Sequence, residues 1–579
     1  MSTAIRAADE PTAKRAASPE APQAPNALEL EAPVHPPTTE LLRLRDHLSL
    51  GSRTATFAYW CGVALVALSV FVPKLLPCTD YPQHLALADI ARRLSDPSAP
   101  EQPRFWLNYF TYNGLFHVVV ANLARLMPIE LAGRVVVSSS LALLGGGVLG
   151  LVRALRRPAA YAALFTPIVF SFAVGWGFVN YALGTALAFV TTAFVVRALQ
   201  RPTRKLAWII AFLGLICAMA HVLAMLILCM LAASIAPEVA LRAVGNGRPL
   251  KDRLLHAFGR SAVALSPLLL GAAWCIAVYR VQYAWDPVMY KDPTLEGSSP
   301  PLWQKITFFG AWGTGLHTDY TDQVLMFLGL AIALLAIVLR MLRKPDESER
   351  EATPPLWIPA IVAVAAYLLT PMVFIGTHLI FPRLAQAVVI GLILAAPAFP
   401  KKLAPQLCRL SLFVGILAGV NLIVHVCAYA KETDDASRVI DDAPPGRRAT
   451  AVVWGSETFA FRSGTLVHLA AYYAARKHGD WSFSFARFLS VPIRFRRGGA
   501  PMWPLKGWEF TPSDYNPRCR YARTFDLVFV KAPSYYPPDD EDAVRRLVFK
   551  QDAAAVRLVS HHGAYWAFDS QGLPDDGTN

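Results

Sequence analysis

Long apolar runs separated by short basic stretches fill the first three quarters of the chain. The first covers about 56–76 (FAYWCGVALVALSVFV, continuing into PKLLP). Others lie near 132–154, 159–174, 177–197, 206–220, 222–239, 260–280, 323–342, 356–375, 380–399 and 407–429. A helix of about 20 apolar residues crosses the hydrocarbon core of a bilayer, so each run is a candidate span. Basic residues mark alternate connections: Arg43/Arg45/Arg53, Arg153/Arg156/Arg157, Arg197/Arg201/Arg204/Lys205, Arg242/Arg248/Lys251/Arg253, Arg340/Arg343/Lys344 and Lys401/Lys402/Arg409. Placing all of them in the cytoplasm satisfies the positive-inside rule with about eleven spans, the N-terminus inside and the C-terminus outside. The runs 206–220 and 222–239 are short, each covering only about 22–27 Å at 1.5 Å per residue. They read as a hairpin turning near His221, because one long span there would strand a basic loop on the wrong side. The segment 110–127 (FTYNGLFHVVVANLARLM) is also apolar. Counting it as a span would put RALRRP outside, so it is expected as a helix lying on the outer membrane surface.

The two ends differ from this pattern. Residues 1–52 are rich in Ala, Pro, Ser and Thr and hold too little apolar surface to fold alone, which predicts a disordered cytoplasmic tail. The first apolar run starts too late for a secretory signal peptide. From about residue 430 charge is used freely. Short β-like runs (ATAVVW, FDLVFVK, AVRLVS, AYWAFD) alternate there with helical stretches (TLVHLAAYYAARK, EDAVRRLVF). The expected fold is therefore mainly α. A polytopic transmembrane helix bundle over 53–430 carries a first outer loop at 77–131 and another at 281–322. A small α/β extracytoplasmic domain follows over 431–579.

Composition agrees with this reading. The 579 residues are 54% hydrophobic and 17% charged, with a mean hydropathy of +0.37. Soluble chains run at roughly 45–50% apolar and about 25% charged. A cytosolic enzyme, a secreted disulfide scaffold and a disordered chain are excluded. The net charge of +14 is accounted for largely by loops that set orientation, so it does not call for nucleic acid. The eight cysteines show no CxxC pair, and most lie inside apolar runs, where Cys acts as a small hydrophobe. Cys78 and Cys519 both fall on the expected outer side, and a disulfide between them is left open.

Candidate chemistry gathers at the outer ends of spans. The first outer loop opens Pro77-Cys78-Thr79-Asp80-Tyr81-Pro82-Gln83-His84-Leu85, and a helix is expected to follow. Asp80 then sits at the membrane–water boundary, placed to accept a proton from a hydroxyl or to help hold a divalent cation. His84, four residues on, shares its side of the helix. The same residues also read as a capping box, Asp-x-x-Gln with Pro in the first turn. Asn180 falls at the outer end of another span. His221 interrupts an apolar run, where an ionisable group is a functional candidate. THLIFPRLAQ supplies His378 and Arg383, and a guanidinium there suits a phosphate, although snorkelling to the interface explains it equally. The aromatics of 281–322 read as an interfacial belt. Asp286, Asp319 and Asp322 in that loop are weaker candidates, and Arg494, Arg496 and Arg497 read as a solvated charge face.

The order of these features resembles the GT-C superfamily of polyprenyl-phosphate-dependent glycosyltransferases, which includes protein O-mannosyltransferase-like and aminoarabinose-transferase-like membrane enzymes. The resemblance rests on Asp80-Tyr81-Pro82-Gln83-His84 as the acidic opening of the first loop. It rests also on LGLICAMAHVLAM with His221 at a hairpin turn, and on FPRLAQ with Arg383 in a late span. Tyr81 stands where many members carry a second acid, which leaves Asp80 as the acid carried over. The resemblance implies an integral-membrane glycosyltransferase acting at the outer face of a bacterial inner membrane, with a periplasmic C-terminal domain. It implies Asp80 as general base and Arg383, with His221 or His378, steadying the donor phosphate; His84, placed to tune Asp80, and Asn180 join the site on position alone. The implied partners are a polyprenyl-phosphate sugar donor, an acceptor of unspecified class and membrane lipids. Whether a divalent cation takes part is left open. The competing readings are a transporter or flippase of a lipid-linked or polar substrate, and a non-enzymatic membrane scaffold.

Overall fold

The computed structural model describes residues 52–245, 249–285, 297–342, 355–374, 377–400, 402–488, 490–496, 498–499, 507–537 and 539–573. The expected tail, Asp286 and Arg497 lie outside the described residues. Among the described residues helices dominate, and seven are long and apolar enough to cross a membrane: Arg53–Phe71, Ile129–Ala154, Val179–Gln200, Val222–Val244, Leu250–Gln282, Thr321–Leu342 and Ala404–Asp442. The protein is thus built as a polytopic integral membrane protein. Shorter apolar helices occupy Ala159–Ile168, Trp357–Leu369 and Ile380–Ala395.

Several segments depart from the periodic reading for identifiable reasons. The run 159–174 is not one helix but the short pieces Ala159–Ala163, Thr166–Ile168 and Phe172–Gly175. Pro167 removes a backbone donor within it, and irregular backbone survives there because almost every residue is buried in protein. The 206–239 region is two helices, Arg204–Ala220 and Val222–Val244, meeting at an extended His221 (φ −166°, ψ 130°). The 110–127 segment forms only a nine-residue helix, Leu115–Leu123. It packs against the Tyr81–Arg93 and Ile129–Ala154 helices, with Phe116, His117 and Val120 fully buried. The last long helix runs unbroken from Ala404 to Asp442, past the change in composition near 430.

Beyond it the β-like runs form a five-stranded sheet. In spatial order its strands are Asp480–Trp481, Arg448–Val453, Leu527–Lys531, Tyr565–Asp569 and Arg557–His562. The first three are parallel and the last two pair antiparallel. Val452, Val528, Val530, Trp566 and Phe568 turn to one apolar core with Trp508 and the Glu541–Phe549 helix. The Leu469–Lys477 helix packs against the Tyr81–Arg93 helix, and a two-stranded ribbon pairs Phe105 with Phe495. The first loop and the C-terminal region are therefore one packed unit. Cys78 and Cys519 are both free thiols.

Candidate functional site

The first loop reaches its site through a close backbone approach. Thr79 N–H donates to Gly175 O at 3.0 Å and Asp80 N–H to Trp176 O at 2.9 Å. Gly177 (φ +90°) permits the approach, since a Cβ there would lie 2.4 Å from Asp80 N. Pro82 sits in the first turn of the Tyr81–Arg93 helix, and Asp80 is its N-cap residue, but its side chain makes no cap hydrogen bond. The capping-box expectation fails because both side chains are engaged elsewhere. Gln83 Oε1 accepts from Trp481 Nε1 at 2.7 Å, and Gln83 Nε2 donates to Phe483 O at 3.1 Å. The Asp80 carboxylate turns to the C-terminal region, where Oδ1 meets His468 Nε2 at 3.2 Å.

His468 is the centre of a triad that the sequence does not reveal. Its Nδ1 makes a short hydrogen bond to Glu509 Oε1. Burial alone would lower the basicity of this ring, but the Glu509 and Asp80 carboxylates outweigh it and hold the imidazole up at about 10. His468 is thus an imidazolium with both protons donated to carboxylates. Burial pushes the Glu509 carboxyl up, opposed by His468. Tyr81 packs against Phe116 and Tyr472, and the second carboxylate of the region, Glu509, comes from far along the chain. With the His468 ring filling the space between them, Asp80 and Glu509 do not converge on a common cation position.

His221 and Arg383 meet across the inner side of the same region, with Nη1 of Arg383 3.2 Å from His221 Nε2. His221 Nδ1 accepts from Leu223 N–H at 3.0 Å, so the neutral ring carries its proton on Nε2. That N–H faces a guanidinium, which only donates. Among the described residues, two donors therefore converge with no acceptor between them, and Arg383 Nε is buried without a partner. The guanidinium stacks 3.6 Å over the Phe178 ring and donates from Nη2 to His378 O at 2.9 Å. His378 thus contributes its backbone carbonyl. Asp80 lies within coulombic reach of Arg383, and His84 of both Asp80 and His221. Asp80, His84, His221 and Arg383 share one neighbourhood. Asn180 Oδ1 accepts from Phe116 N–H at 3.0 Å, holding the start of the Leu115–Leu123 helix, while its Nδ2 is buried with no partner among the described residues.

Among the described residues, the group with metal-ligand spacing is His317, Asp319 and His425, whose ligand atoms lie within 4.8 Å of one another. Their two rings stack face to face, 3.7 Å apart and inclined by 10°. Parallel rings direct their in-plane lone pairs past a shared point rather than at it. The expected aromatic belt is mixed: Trp303 and Tyr320 are exposed, whereas Trp312 packs against Phe172 and Phe381.

No protein-family model and no curated protein matches the sequence. In structure, the chain is similar to ArnT from Cupriavidus metallidurans bound to undecaprenyl phosphate, with a TM-score of 0.50 and 11% identity over 92% of this chain and 98% of that one. The apo state of the same protein aligns with a TM-score of 0.48 and 11% identity over 88% of this chain and 96% of that one. The likeness of fold extends over nearly the whole of both chains, at 11% sequence identity. The chain shares the fold of ArnT.

Proposed function

We propose that the protein is an integral-membrane glycosyltransferase that moves a sugar from a polyprenyl-phosphate donor to an acceptor at the outer membrane face. The supporting observation is the convergence of His221 Nε2–H and the Arg383 guanidinium, two donors 3.2 Å apart that lack an acceptor. A phosphate oxygen placed between them satisfies both. That the ArnT structure of the same fold holds undecaprenyl phosphate favours a lipid-linked phosphate as the group bound. The host membrane in this reading is a bacterial inner membrane, with the C-terminal domain outside it.

In this reading Asp80 is the general base. Its Oδ1 is held by His468, and Oδ2 takes the proton of the acceptor hydroxyl. The freed oxygen attacks the anomeric carbon as the bond from that carbon to the phosphate oxygen breaks. The electron pair leaves with the phosphate, where Arg383 and His221 meet the growing negative charge. The His468 imidazolium between Asp80 and Glu509 fixes the direction of the Asp80 carboxylate. The test is release of polyprenyl phosphate from a radiolabelled lipid-linked sugar by purified protein. Asp80→Asn is expected to lower the rate about 100-fold or more. Unchanged turnover removes Asp80 from the chemistry, and no release from any donor by the wild type favours a transporter or scaffold.

A further inference from the structure

Behind Asp80, two imidazoles that the proposed chemistry leaves idle are joined. His84 Nδ1 lies 3.1 Å from His117 Nε2, and His117 Nδ1 lies 3.1 Å from the carbonyl oxygen of Asn113. Burial brings His84 down to about 4, with Asp80 raising it and His468 lowering it less strongly. Burial also holds His117 well below the ordinary imidazole value. Both rings are therefore neutral at neutral pH, and each carries one N–H.

The direction of the chain follows from its far end. A carbonyl oxygen only accepts, so His117 carries its hydrogen on Nδ1 and its Nε2 is a lone pair. That lone pair accepts from His84, which must carry its own hydrogen on Nδ1. His84 Nε2 is then an unprotonated nitrogen with no hydrogen-bond partner among the described residues. The ring is wedged edge-to-face against Phe116 and Phe485, at 6.3 and 5.8 Å between centroids. The titratable groups around it are Asp80 before its own helix, His117 on the Leu115–Leu123 helix, His468 of the outer domain and His221 at the helix junction.

We propose that His117 is a positioning residue that fixes the tautomer of His84, so that an unprotonated Nε2 faces the Asp80 site and serves there as a proton acceptor. The acceptor role in turnover rests on the glycosyl-transfer reading, whereas the tautomer stands independently of it. A proton passing from Asp80, which has taken it from the acceptor hydroxyl, to His84 Nε2 restores the Asp80 carboxylate and makes His84 an imidazolium. The charge stays on His84, whose Nδ1–H still donates to His117 Nε2.

The experiment uses full-length purified protein labelled with diethyl pyrocarbonate, which acylates unprotonated imidazole nitrogen, with His84 followed by peptide mass mapping. In the wild type the rate at His84 is expected to stay flat between about pH 5 and pH 7, where an ordinary imidazole slows as it protonates. His117→Gln offers one acceptor to His84 and one donor to Asn113, so it keeps the wild-type rate. His117→Leu removes the acceptor, and the Nε2–H tautomer facing Asp80 takes over. The rate at His84 then falls about 3- to 10-fold, the equivalent of one net hydrogen bond. An unchanged rate in His117→Leu, an equal fall in His117→Gln, or a wild-type rate that drops toward pH 5 overturns the assignment. The same variants in the lipid-phosphate release assay separate the two claims. Turnover lost in His117→Leu and restored in His117→Gln supports the acceptor role, and turnover indifferent to both removes it. The labelling pattern without release by any variant, wild type included, overturns the glycosyl-transfer reading and leaves the tautomer in place.

Discussion

Asp80 Oδ1 and His468 Nε2 meet at 3.2 Å across 388 positions of sequence. This contact ties the loop after the first apolar helix to the C-terminal region and places a protonated ring beside the candidate base. Because His468 is raised from 6.5 to about 10 in the folded protein, its contribution to stability has a defined pH window. A group with a raised folded value stabilises fully below its unfolded value and loses that contribution as pH rises through the folded one. The triad should therefore stabilise fully below about pH 6.5 and fade toward pH 10. His468→Gln leaves two buried carboxylates without their cation and is expected to cost about 3–5 kcal/mol near neutral pH. Thermal unfolding in detergent across that pH range checks both effects: the variant should lose the alkaline decline as well as the stability. An unchanged melting temperature at pH 7 counts against the charged triad.

Gly177 offers a test of how Asp80 is placed. Its φ of +90°, and the 2.4 Å that would separate a Cβ at this position from Asp80 N, leave no room for a side chain. Gly177→Ala is expected to push the Asp80 loop away from Trp176 and to lower lipid-phosphate release at least 10-fold, since misplacement by about 1 Å can cost about 100-fold. Gly150, on the Ile129–Ala154 helix, would place its Cβ 3.6 Å from the Ala193 side chain, an ordinary contact. Gly150→Ala should leave activity intact and gain up to about 1 kcal/mol from helix propensity. Equal effects in the two variants would mean that the approach at Gly177 does not position the site.

Asp89 holds the far side of the same helix. Its fully buried side chain accepts from Arg92 at 2.8 Å, Arg93 at 2.9 Å and His478 at 3.1 Å. Burial raises the carboxyl, but these partners outweigh it and depress it below 3.8. A depressed carboxylate stabilises above its unfolded value and loses that contribution as pH falls through the folded one. Asp89→Asn should cost about 3–5 kcal/mol at pH 7 and should flatten the acid limb of the stability profile below about pH 4. The melting temperature measured from pH 7 down to pH 3 decides it, and parallel profiles for variant and wild type would rule the effect out.

Apolar periodicity locates nearly every helix, because a run that meets only lipid and other helices has a one-dimensional signature. The strands of the outer domain are legible for the same kind of reason: ATAVVW, FDLVFVK and AYWAFD alternate or cluster β-branched and aromatic residues and become Arg448–Val453, Leu527–Lys531 and Tyr565–Asp569. What pattern cannot supply is pairing over long separations. His468 and Glu509 sit in unremarkable local sequence, and only the packing of the outer domain on the first loop brings them to Asp80. Gln83 resembles half of a capping box, a purely local motif, but tertiary partners at Trp481 and Phe483 displace the local one. Charge counting says nothing of burial at Arg157, which belongs to a basic stretch expected in a cytoplasmic loop. The structure buries it, with its guanidinium donating to the carbonyls of Ile393, Leu394 and Ala396 at the end of the Ala385–Ala395 helix. There it satisfies helix-end acceptors that have no intrahelical partner.

The unmatched donors of Arg383 and His221 give a prediction that needs no knowledge of the sugar or the acceptor. If both wait for an anionic oxygen, polyprenyl phosphate should stabilise the folded protein by mass action, by about 2.7 kcal/mol at a concentration about 100-fold above its dissociation constant. Neutral polyprenol of the same chain length, making the same apolar contacts, should give a much smaller shift. Arg383→Gln removes the bidentate charge and should abolish the difference between phosphate and alcohol. Arg383→Lys should keep only part of it, because an ammonium binds phosphate as a point charge and cannot stack flat on Phe178 as the guanidinium does at 3.6 Å. His221→Asn keeps a donor on a shorter side chain and should weaken the phosphate-specific shift without removing it. Equal shifts with phosphate and alcohol in the wild type would show that the pair is a structural contact of the helix junction and that the lipid phosphate binds elsewhere.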